Sequence, residues 1–320
     1  MLTTIMRRIL RLMLPVLIVA AATASQAANY PERPLTAMVP FPAGGSTDLM
    51  ARAIARELTD SLGTNVVVDN RAGGAGTVGM AALARARKDG YTIGVVPAAP
   101  LVNQPHMRRT PYSLESFDYI CQFFLSPQAL AVKPQSPFSN LDEMVAYAKA
   151  HPGELTYGSP GPGSLPNLSM EQFLEKAGVQ VTHVPFAGDG PGVTALIGGH
   201  VDMYMTMSNV IADRELKAIG IFSEAALDTL PGVKTAINQG YDLTASWWGG
   251  VIAPKGIPDE ARNILEQACK TATESERLDE VLGRLGTQAA YLGSDDFLKQ
   301  VNRISETNGR LIEKVLKKSQ

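Results

Sequence analysis

The chain has 320 residues, of which 45% are hydrophobic and 19% are charged, and this composition excludes a disordered chain, a collagen and a coiled coil. Its 29 lysines and arginines are matched by 31 aspartates and glutamates, so no positive surplus is present to neutralise a nucleic-acid backbone. We therefore expect no nucleic-acid partner. The length is sufficient for two packed lobes.

The first 27 residues have the features of a cleavable signal peptide. Arg7, Arg8 and Arg11 precede an apolar stretch over residues 12–22, and Ser25-Gln26-Ala27 gives the small-x-small pattern that signal peptidase cleaves. An uncleaved membrane anchor is the alternative, but the stretch is shorter than the roughly 20 residues that cross a bilayer. The sequence predicts an exported, soluble protein that begins at Ala28.

After residue 35 the sequence alternates short apolar runs with amphipathic segments, which is typical of a mostly parallel sheet covered by helices. In the first half we predict strands at 35–39, 65–68 and 91–96, with helices ending at Gly63 and covering 77–87. The second half has the same order, with strands at 155–157, 181–184 and 201–205 and helices at 166–178 and 194–197.

This repeated order predicts two similar α/β lobes joined by a hinge. Two extended segments, 123–132 and 245–254, are candidates for the chain crossings. The helical C-terminal region is expected to return to the first lobe. We predict that residues 28–125 and 251–320 form lobe 1 and that residues 126–250 form lobe 2.

Four glycine-rich loops follow predicted strands and lead into predicted helices, at residues 40–48, 69–76, 158–164 and 185–192. A helix N-terminus presents unpaired N–H groups and a partial positive charge, so such a loop favours an anion. One loop of this kind is usually a turn with a helix cap, whereas four in a repeated arrangement indicate a ligand cleft between the lobes. Arg71 is the one basic residue in these loops, and we favour a structural ion pair as its role.

One loop also matches the dinucleotide-binding pattern G-x-G-x-x-G, at residues 74–79. The next predicted strand has no acidic residue at its end to bind a ribose hydroxyl, so we do not expect a nucleotide cofactor. The four histidines are scattered over unrelated segments, and no metal site is expected.

A serine hydrolase is the enzymatic alternative. The chain has no G-x-S-x-G motif, and a triad built from Ser159 or Ser164 with a distant histidine and aspartate is left open by the sequence. We expect no enzymatic activity.

The sequence contains two cysteines, Cys121 and Cys269, which are separated by 148 positions. A disulfide is possible in an exported protein, but a chain of this size does not need one. We favour two buried thiols that act as small hydrophobic residues.

Several short runs, in order along the chain, resemble the tripartite tricarboxylate transporter solute-binding proteins, also called the Bug family. They include a proline- and glycine-rich loop followed, about 25 residues later, by an Asn-Arg pair. The runs are VPFPAGG (39–45), VVVDNR (66–71), DGYT (89–92), KAxPG (149–153), YGSxGxGS (157–164), HVPF (183–186), GGxVD (198–202) and WxG (247–249).

This resemblance implies a two-lobed, type II periplasmic-binding-protein fold that closes on a small organic carboxylate. It further implies a periplasmic protein that delivers the solute to integral-membrane permease subunits. We expect no cofactor, and a monomer is the default expectation for a protein that must close on a ligand and release it. The ligand-binding residues that it implies in the first lobe are Phe41, Ala43, Gly44, Gly45 and Thr47. Those in the second lobe are Ser159, Gly163, Ser164, Asn167, Ala187, Gly188 and Asp202.

Two positions depart from the family pattern. Asn167 stands where the family often has histidine, and Ala187 stands where it often has lysine, so two positive groups are missing. We therefore expect a mono- or dicarboxylate rather than citrate. A ligand sensor that docks on a membrane kinase is compatible with the same chemistry and is the second alternative.

Overall fold

The computed structural model describes residues 30–186 and 188–318. The predicted signal peptide, residues 1–27, lies outside this part. The strands are β1 (Leu35–Val39), β2 (Val66–Asn70), β3 (Thr92–Pro97), β4 (Phe117–Val132), β5 (Thr156–Ser159), β6 (Thr182–Pro185), β7 (Met203–Met207), β8 (Lys217–Ile221), β9 (Ser246–Pro254) and β10 (Gln288–Gly293). The helices are α1 (Ser46–Leu62), α2 (Thr77–Ala84), α3 (Ala98–Val102), α4 (Gln104–Met107), α5 (Leu141–Ala150), α6 (Leu165–Ala177), α7 (Asp189–Ile197), α8 (Ser208–Asp213), α9 (Asp259–Thr273), α10 (Glu276–Arg284) and α11 (Ser294–Lys318).

The first lobe is built on β2, β1 and β3, which are parallel and adjacent in that order. Strand β9 pairs antiparallel with β3, and the first part of β4 pairs antiparallel with β9 and β10. Helices α1, α9 and α10 cover this sheet, and their apolar side chains share one core with the strands. The C-terminal region therefore returns to the first lobe.

The second lobe repeats the arrangement with β6, β5 and β7, which are also parallel and adjacent. Strand β7 pairs antiparallel with residues 128–132 of β4, and β8 pairs with the same part of β4. Helices α5 and α6 cover this sheet over a second core. Because β4 takes part in both sheets, one 16-residue strand connects the two lobes.

The predicted fold class, an α/β protein with two lobes, is confirmed. Strands β1, β2, β3, β5, β6 and β7 and helices α1 and α6 lie within a few residues of their predicted positions. Helix α1 buries Met50, Ile54 and Leu58 on one face and ends at Gly63, whose φ of 65° is the left-handed conformation that glycine adopts readily. The exact lobe boundaries remain a prediction.

The structure differs from the sequence-based prediction in three respects. Helix α7 begins at Asp189 rather than at Thr194, and a proline in the first turn is compatible with this early start. Strand β4 begins at Phe117, six residues before the predicted extended segment. Helices α3, α4, α5 and α8 and strands β8 and β10 were not predicted.

Cys121 and Cys269 form a disulfide bond, which corrects the expectation of two free thiols. Cys121 lies in β4 and Cys269 in α9, so the bond joins the sheet of the first lobe to the C-terminal region. Both residues are fully buried in the same hydrophobic core. The C-terminal region packs back on the first sheet and brings the two residues together despite their separation in sequence.

Both tryptophans pack against aromatic side chains near the crossing between the lobes. Trp248 is buried and makes an edge contact with Phe297, while Trp247 makes one with Phe124. Core packing therefore accounts for both residues. Among the described residues, no helix has the length and apolar character needed to cross a membrane.

Candidate functional site

The first candidate loop connects β1 to α1. Gly45 is the N-cap of α1, and no side chain caps this helix end. Within the described residues, the N–H groups of Gly45, Ser46 and Thr47 have no hydrogen-bond partner. Residues 43–46 are exposed, so this end of α1 presents free donors and a partial positive charge to the solvent.

Unlike the N–H groups of residues 45–47, the N–H of Gly44 has a partner: it donates to the Asp48 carboxylate at 2.9 Å. Asp48 is buried, and it also accepts hydrogen bonds from Arg52 Nε and Asn70 Nδ2, each at 2.9 Å. Burial by itself raises the pKa of Asp48, but the hydrogen bonds from Arg52, Gly44 and Asn70 outweigh it and lower the pKa. The Asp48 carboxylate thus fixes the conformation of the loop, and its own negative charge is compensated by Arg52.

Replacing Asp48 by asparagine is expected to reduce the free energy of unfolding at pH 7 by about 1.5–3 kcal/mol, because a charged, buried hydrogen-bond acceptor is lost. A lowered pKa in the folded state stabilises the protein above the unfolded pKa, and this contribution disappears as the pH falls through the folded pKa. The difference between wild type and variant should therefore shrink below about pH 4. Urea denaturation of both proteins at pH 7 and pH 3 measures this difference in the free energy of unfolding. An equal difference at the two pH values would contradict the assignment.

The second loop of this lobe contains the G-x-G-x-x-G pattern, and close packing explains its last two glycines. A Cβ on Gly79 would lie 2.6 Å from the Arg71 carbonyl oxygen and 2.7 Å from Pro40 Cα. A Cβ on Gly76 would lie 2.6 Å from Pro100 and 3.4 Å from Phe41. These glycines bring the two loops of the first lobe into contact, and Arg71 pairs with Asp69 as expected.

Gly79→Ala is accordingly expected to destabilise the protein by about 1–3 kcal/mol, because the backbone of α2 must move away from β1. Gly283→Ala is the matched control, since Gly283 lies in α10 and has open space around it. The control should be stabilised by up to about 1 kcal/mol through helix propensity. Denaturation midpoints in urea compare the two variants, and equal effects would refute the packing argument.

In the second lobe, Ser159 is the last residue of β5, directly before the glycine-rich loop. Its hydroxyl is 2.8 Å from His183 Nε2, and the Gly161 N–H lies 3.3 Å from the same oxygen. The His183 ring stacks on Tyr157, with centroids 4.8 Å apart. Ser159 is fully buried, so its oxygen is enclosed by the cross-strand contact of β5 with β6 and is not accessible to a substrate.

The same loop leads into α6, where the donors are largely used within the lobe. The Ser164 side chain caps the helix by accepting from the Asn167 N–H at 3.3 Å, and the Ser164 N–H donates to Gly161. Asn167 Oδ1 accepts from the Gly163 N–H at 2.9 Å, and its Nδ2 donates to the Tyr157 hydroxyl at 2.8 Å. Because Asn167 is buried with both ends of its amide engaged, the geometry gives it a positioning role.

The loop after β6 leads into α7, whose N-cap is Gly188. It lies beside the loop after β5, since the Phe186 N–H donates to the Ser159 carbonyl at 3.0 Å. The first residue of α7 is Asp189, and the Tyr204 hydroxyl donates to its carboxylate at 3.2 Å. Burial raises the pKa of Asp189, and the hydrogen bond from Tyr204 together with the nearby Thr206 hydroxyl opposes this increase without reversing it.

Helices α3 and α4 connect the loops of the two lobes. Pro100 of α3 contacts Gly76, and Asn103 donates through Nδ2 to the Gly163 carbonyl of the second lobe at 3.2 Å. Asn308 of α11 donates to Asn103 Oδ1 at 2.7 Å, which fixes this amide. The carboxyl ends of the parallel strands in both lobes therefore lie on the same side of the molecule, where open α/β sheets bind ligands.

The predicted site residues divide by location. Phe41, Ala43, Gly44, Gly45 and Thr47 lie in the loop before α1 or in its first turn. Ser159 ends β5, and Gly163, Ser164, Asn167 and Gly188 lie in the adjacent loops of the second lobe or in the first turn of the helix that follows. Ala187 lies outside the described residues. Asp202 precedes β7 and accepts from Thr156 at the start of β5, so it lies at the opposite edge of the sheet and we do not carry it into the proposed site.

Sequence reasoning did not identify Asp48, Asn103 or Asp189 as functional candidates. Asp48 and Asp189 each lie in the first turn of a helix that follows a glycine loop, and this position was the available signal. Asn103 gave no such signal, because its partners Gly163 and Asn308 are distant in sequence. In the described part of the chain, no group of histidine, cysteine, aspartate or glutamate residues is arranged to hold a metal ion.

Comparison with known proteins agrees with this fold. Residues 50–316 match the family described as tripartite tricarboxylate transporter family receptor, TctC. Protein BugT of Bordetella pertussis is 36% identical over 299 residues, which are 88% of this chain and 92% of BugT.

Solved structures give the same result. A ligand-free TctC solute-binding protein from Polaromonas superposes with a TM-score of 0.83 at 30% identity, covering 89% of this chain and 99% of that one. A Rhodopseudomonas palustris protein solved with adipate has a TM-score of 0.68 at 26% identity, covering 88% and 98%. MatC of Rhodopseudomonas palustris, solved with bound malate, has a TM-score of 0.67 at 27% identity, covering 88% and 100%. The chain belongs to the tripartite tricarboxylate transporter receptor family of solute-binding proteins.

Proposed function

We propose that this protein is an exported, periplasmic solute-binding protein that captures a small organic mono- or dicarboxylate between its two lobes. It then delivers the solute to the permease subunits of a tripartite tricarboxylate-type transporter. In this proposal the lobes comprise residues 28–125 with 251–320, and residues 126–250, and the protein acts as a monomer without a cofactor.

The observation that carries the proposal is the free N-terminus of α1. Three consecutive N–H groups, those of Gly45, Ser46 and Thr47, are unpaired within the described residues and lie at the exposed edge of the first lobe. Such an end binds a carboxylate through backbone donors and the helix dipole, without an arginine. The relatives solved with adipate and malate support a carboxylate as the ligand class.

The second lobe contributes the closing surface. The Phe186 N–H, after β6, donates to the Ser159 carbonyl at the end of β5, which brings these two loops side by side, and Gly163 is hydrogen-bonded to Asn103 of the first lobe. A ligand held by α1 is enclosed when these loops approach it, and the closed shape is what a permease recognises. The buried position of Ser159 supports a binding protein over a hydrolase.

A thermal-shift screen of residues 28–320 against mono-, di- and tricarboxylates and amino acids tests the proposal. A ligand that binds only the folded state raises the melting temperature by mass action. We expect a coherent group of mono- or dicarboxylates to raise it and citrate to have less effect. A flat screen across the carboxylates, together with turnover of an ester panel that is lost in Ser159→Ala, would overturn the proposal.

A further inference from the structure

The N-terminus of α7 differs in charge from that of α1. Asp189 places a carboxylate in the first turn of α7, at the edge where the loops of the second lobe meet. The Tyr204 hydroxyl is the hydrogen-bond donor to this carboxylate, and it donates to Oδ1. Among the described residues, no lysine, arginine or histidine forms an ion pair with Asp189. This carboxylate is therefore not neutralised by a cation of the lobe.

Beside Asp189 lies a buried polar group that has no hydrogen-bond partner among the described residues, the Thr206 hydroxyl. The Thr206 hydroxyl is fully buried, and its oxygen makes no hydrogen bond of ordinary geometry within the described residues. The Thr206 hydroxyl acts to lower the pKa of Asp189, against the effect of burial. Thr206 lies next to the carboxyl end of β7, two residues after Tyr204 on the same face of the strand. Buried polar groups in native proteins are normally paired, so an unpaired one at this edge indicates a missing partner.

Asp48, the acidic residue in the first turn of α1 in the first lobe, has a different set of partners from Asp189. Asp48 is saturated by Arg52, Asn70 and the Gly44 N–H, and it leaves the N–H groups of residues 45–47 free for an anion. Among the described residues, Asp189 accepts one hydrogen bond of ordinary geometry, from Tyr204, and pairs with no cation. The two sides of the cleft are therefore electrostatically unequal, with free donors on the first lobe and free acceptors on the second.

We propose that Asp189 and Thr206 bind a hydrogen-bond donor of the ligand, an ammonium or hydroxyl group, while the ligand carboxylate binds the N-terminus of α1. This inference rests on the proposed function and makes it narrower: the solute is an amino- or hydroxy-substituted acid. A second ligand carboxylate placed at Asp189 would meet a like charge, which disfavours unsubstituted diacids in that orientation.

Three series of acids that differ only in the substituent at carbon 2 provide the test. They are propionate, lactate and alanine; succinate, malate and aspartate; and glutarate, 2-hydroxyglutarate and glutamate. Calorimetric titration of the wild type is expected to show at least tenfold tighter binding of a substituted acid than of its unsubstituted parent, in at least one series. Asp189→Ala is expected to remove this preference and to leave the affinity for the unsubstituted parent unchanged or higher.

The variant Asp189→Asn distinguishes an ammonium group from a hydroxyl group as the donor of the ligand. An asparagine oxygen still accepts from a hydroxyl group but carries no charge for an ammonium group, so a large loss for the amino acid alone identifies the ammonium. Thr206→Val is a second variant that removes only the unpaired hydroxyl and keeps the side-chain shape, and a several-fold loss of the preference is expected. Circular dichroism and melting temperature check that each variant is folded.

Asp142→Asn is the matched control. Asp142 also lies in the first turn of a second-lobe helix and also accepts from a tyrosine hydroxyl, that of Tyr241 at 3.1 Å. Helix α5 follows β4, whose Val132 pairs with Met203 at the amino end of β7, so Asp142 lies away from the ligand loops. This variant should keep every affinity within twofold of the wild type.

The outcomes separate this inference from the function on which it rests. Tight binding of the acids with no preference for a substituted member, or an equal loss for all members in Asp189→Ala, overturns the role of Asp189 and leaves the carboxylate-binding function standing. Binding of none of these acids and of no other carboxylate in the screen overturns both.

Discussion

Replacing Gly45 by aspartate is expected to weaken carboxylate binding at least 100-fold while the fold remains intact. The new carboxylate would lie at the N-terminus of α1, where the ligand carboxylate is proposed to bind. Two like charges about 4 Å apart repel by about 4 kcal/mol at an effective dielectric constant of 20, and each 1.4 kcal/mol corresponds to a factor of ten in affinity.

The backbone at Gly45 accommodates the substitution. Its φ of −79° is ordinary for any residue, and a Cβ would meet only the Pro42 carbonyl oxygen, at 3.6 Å. Aspartate is also a favoured N-cap residue, so the variant should unfold at the wild-type temperature or slightly above it. A loss of binding in this variant therefore cannot be attributed to unfolding.

Gly283→Asp is the matched control for the added charge. Gly283 is exposed in α10, has no atoms within contact distance of a new Cβ and lies outside the loops of the cleft. Isothermal titration with an acid that raises the melting temperature of the wild type measures both variants. If Gly45→Asp binds within a few-fold of the wild type, the N-terminus of α1 is not the carboxylate site.

The parts of the fold that follow local rules were predictable from the sequence. Strand β1 and helix α1 have strong periodic patterns, and Gly63 marks the helix end, so their limits agree with the prediction. Strand β4 was recognised only in part, because it is buried along nearly its whole length and shows no alternation of polar and apolar residues. Short elements with weak patterns, such as β8 and β10, were missed because their stability comes from pairing with β4.

The candidate site was predictable at the level of loops but not of individual contacts. The glycine runs after β1 and β5 correctly predicted helix N-termini at the carboxyl ends of parallel strands. Asp202 lies just before β7 rather than after it. It is therefore at the amino ends of the parallel strands, at the edge of the sheet opposite the ligand loops. The bonds of Asn103 to Gly163 and Asn308 join residues 60 and 205 positions apart, which no local pattern encodes.

The disulfide between Cys121 and Cys269 was also not predictable from local pattern, since the two residues are 148 positions apart in sequence and meet only because α9 packs on β4. We expect its loss in a Cys121→Ala, Cys269→Ala variant to lower the free energy of unfolding by roughly 2–5 kcal/mol, because the unfolded chain is released from a constraint on a long loop. A variant of this kind should melt roughly 10 °C below the wild type.

Thiol titration in denaturant without a reducing agent tests the bond directly. Protein isolated from an oxidising compartment should show no free thiol before reduction and two afterwards. Reduction in denaturant followed by refolding under reducing conditions should lower the melting temperature of the wild type toward that of the double-alanine variant, and the same treatment should leave the variant unchanged. Two free thiols before reduction, or a wild-type melting temperature that does not respond to reduction, would show that the covalent bond does not hold the C-terminal region to the first lobe. In that case hydrophobic packing of α9 on the first sheet would provide the whole of that attachment.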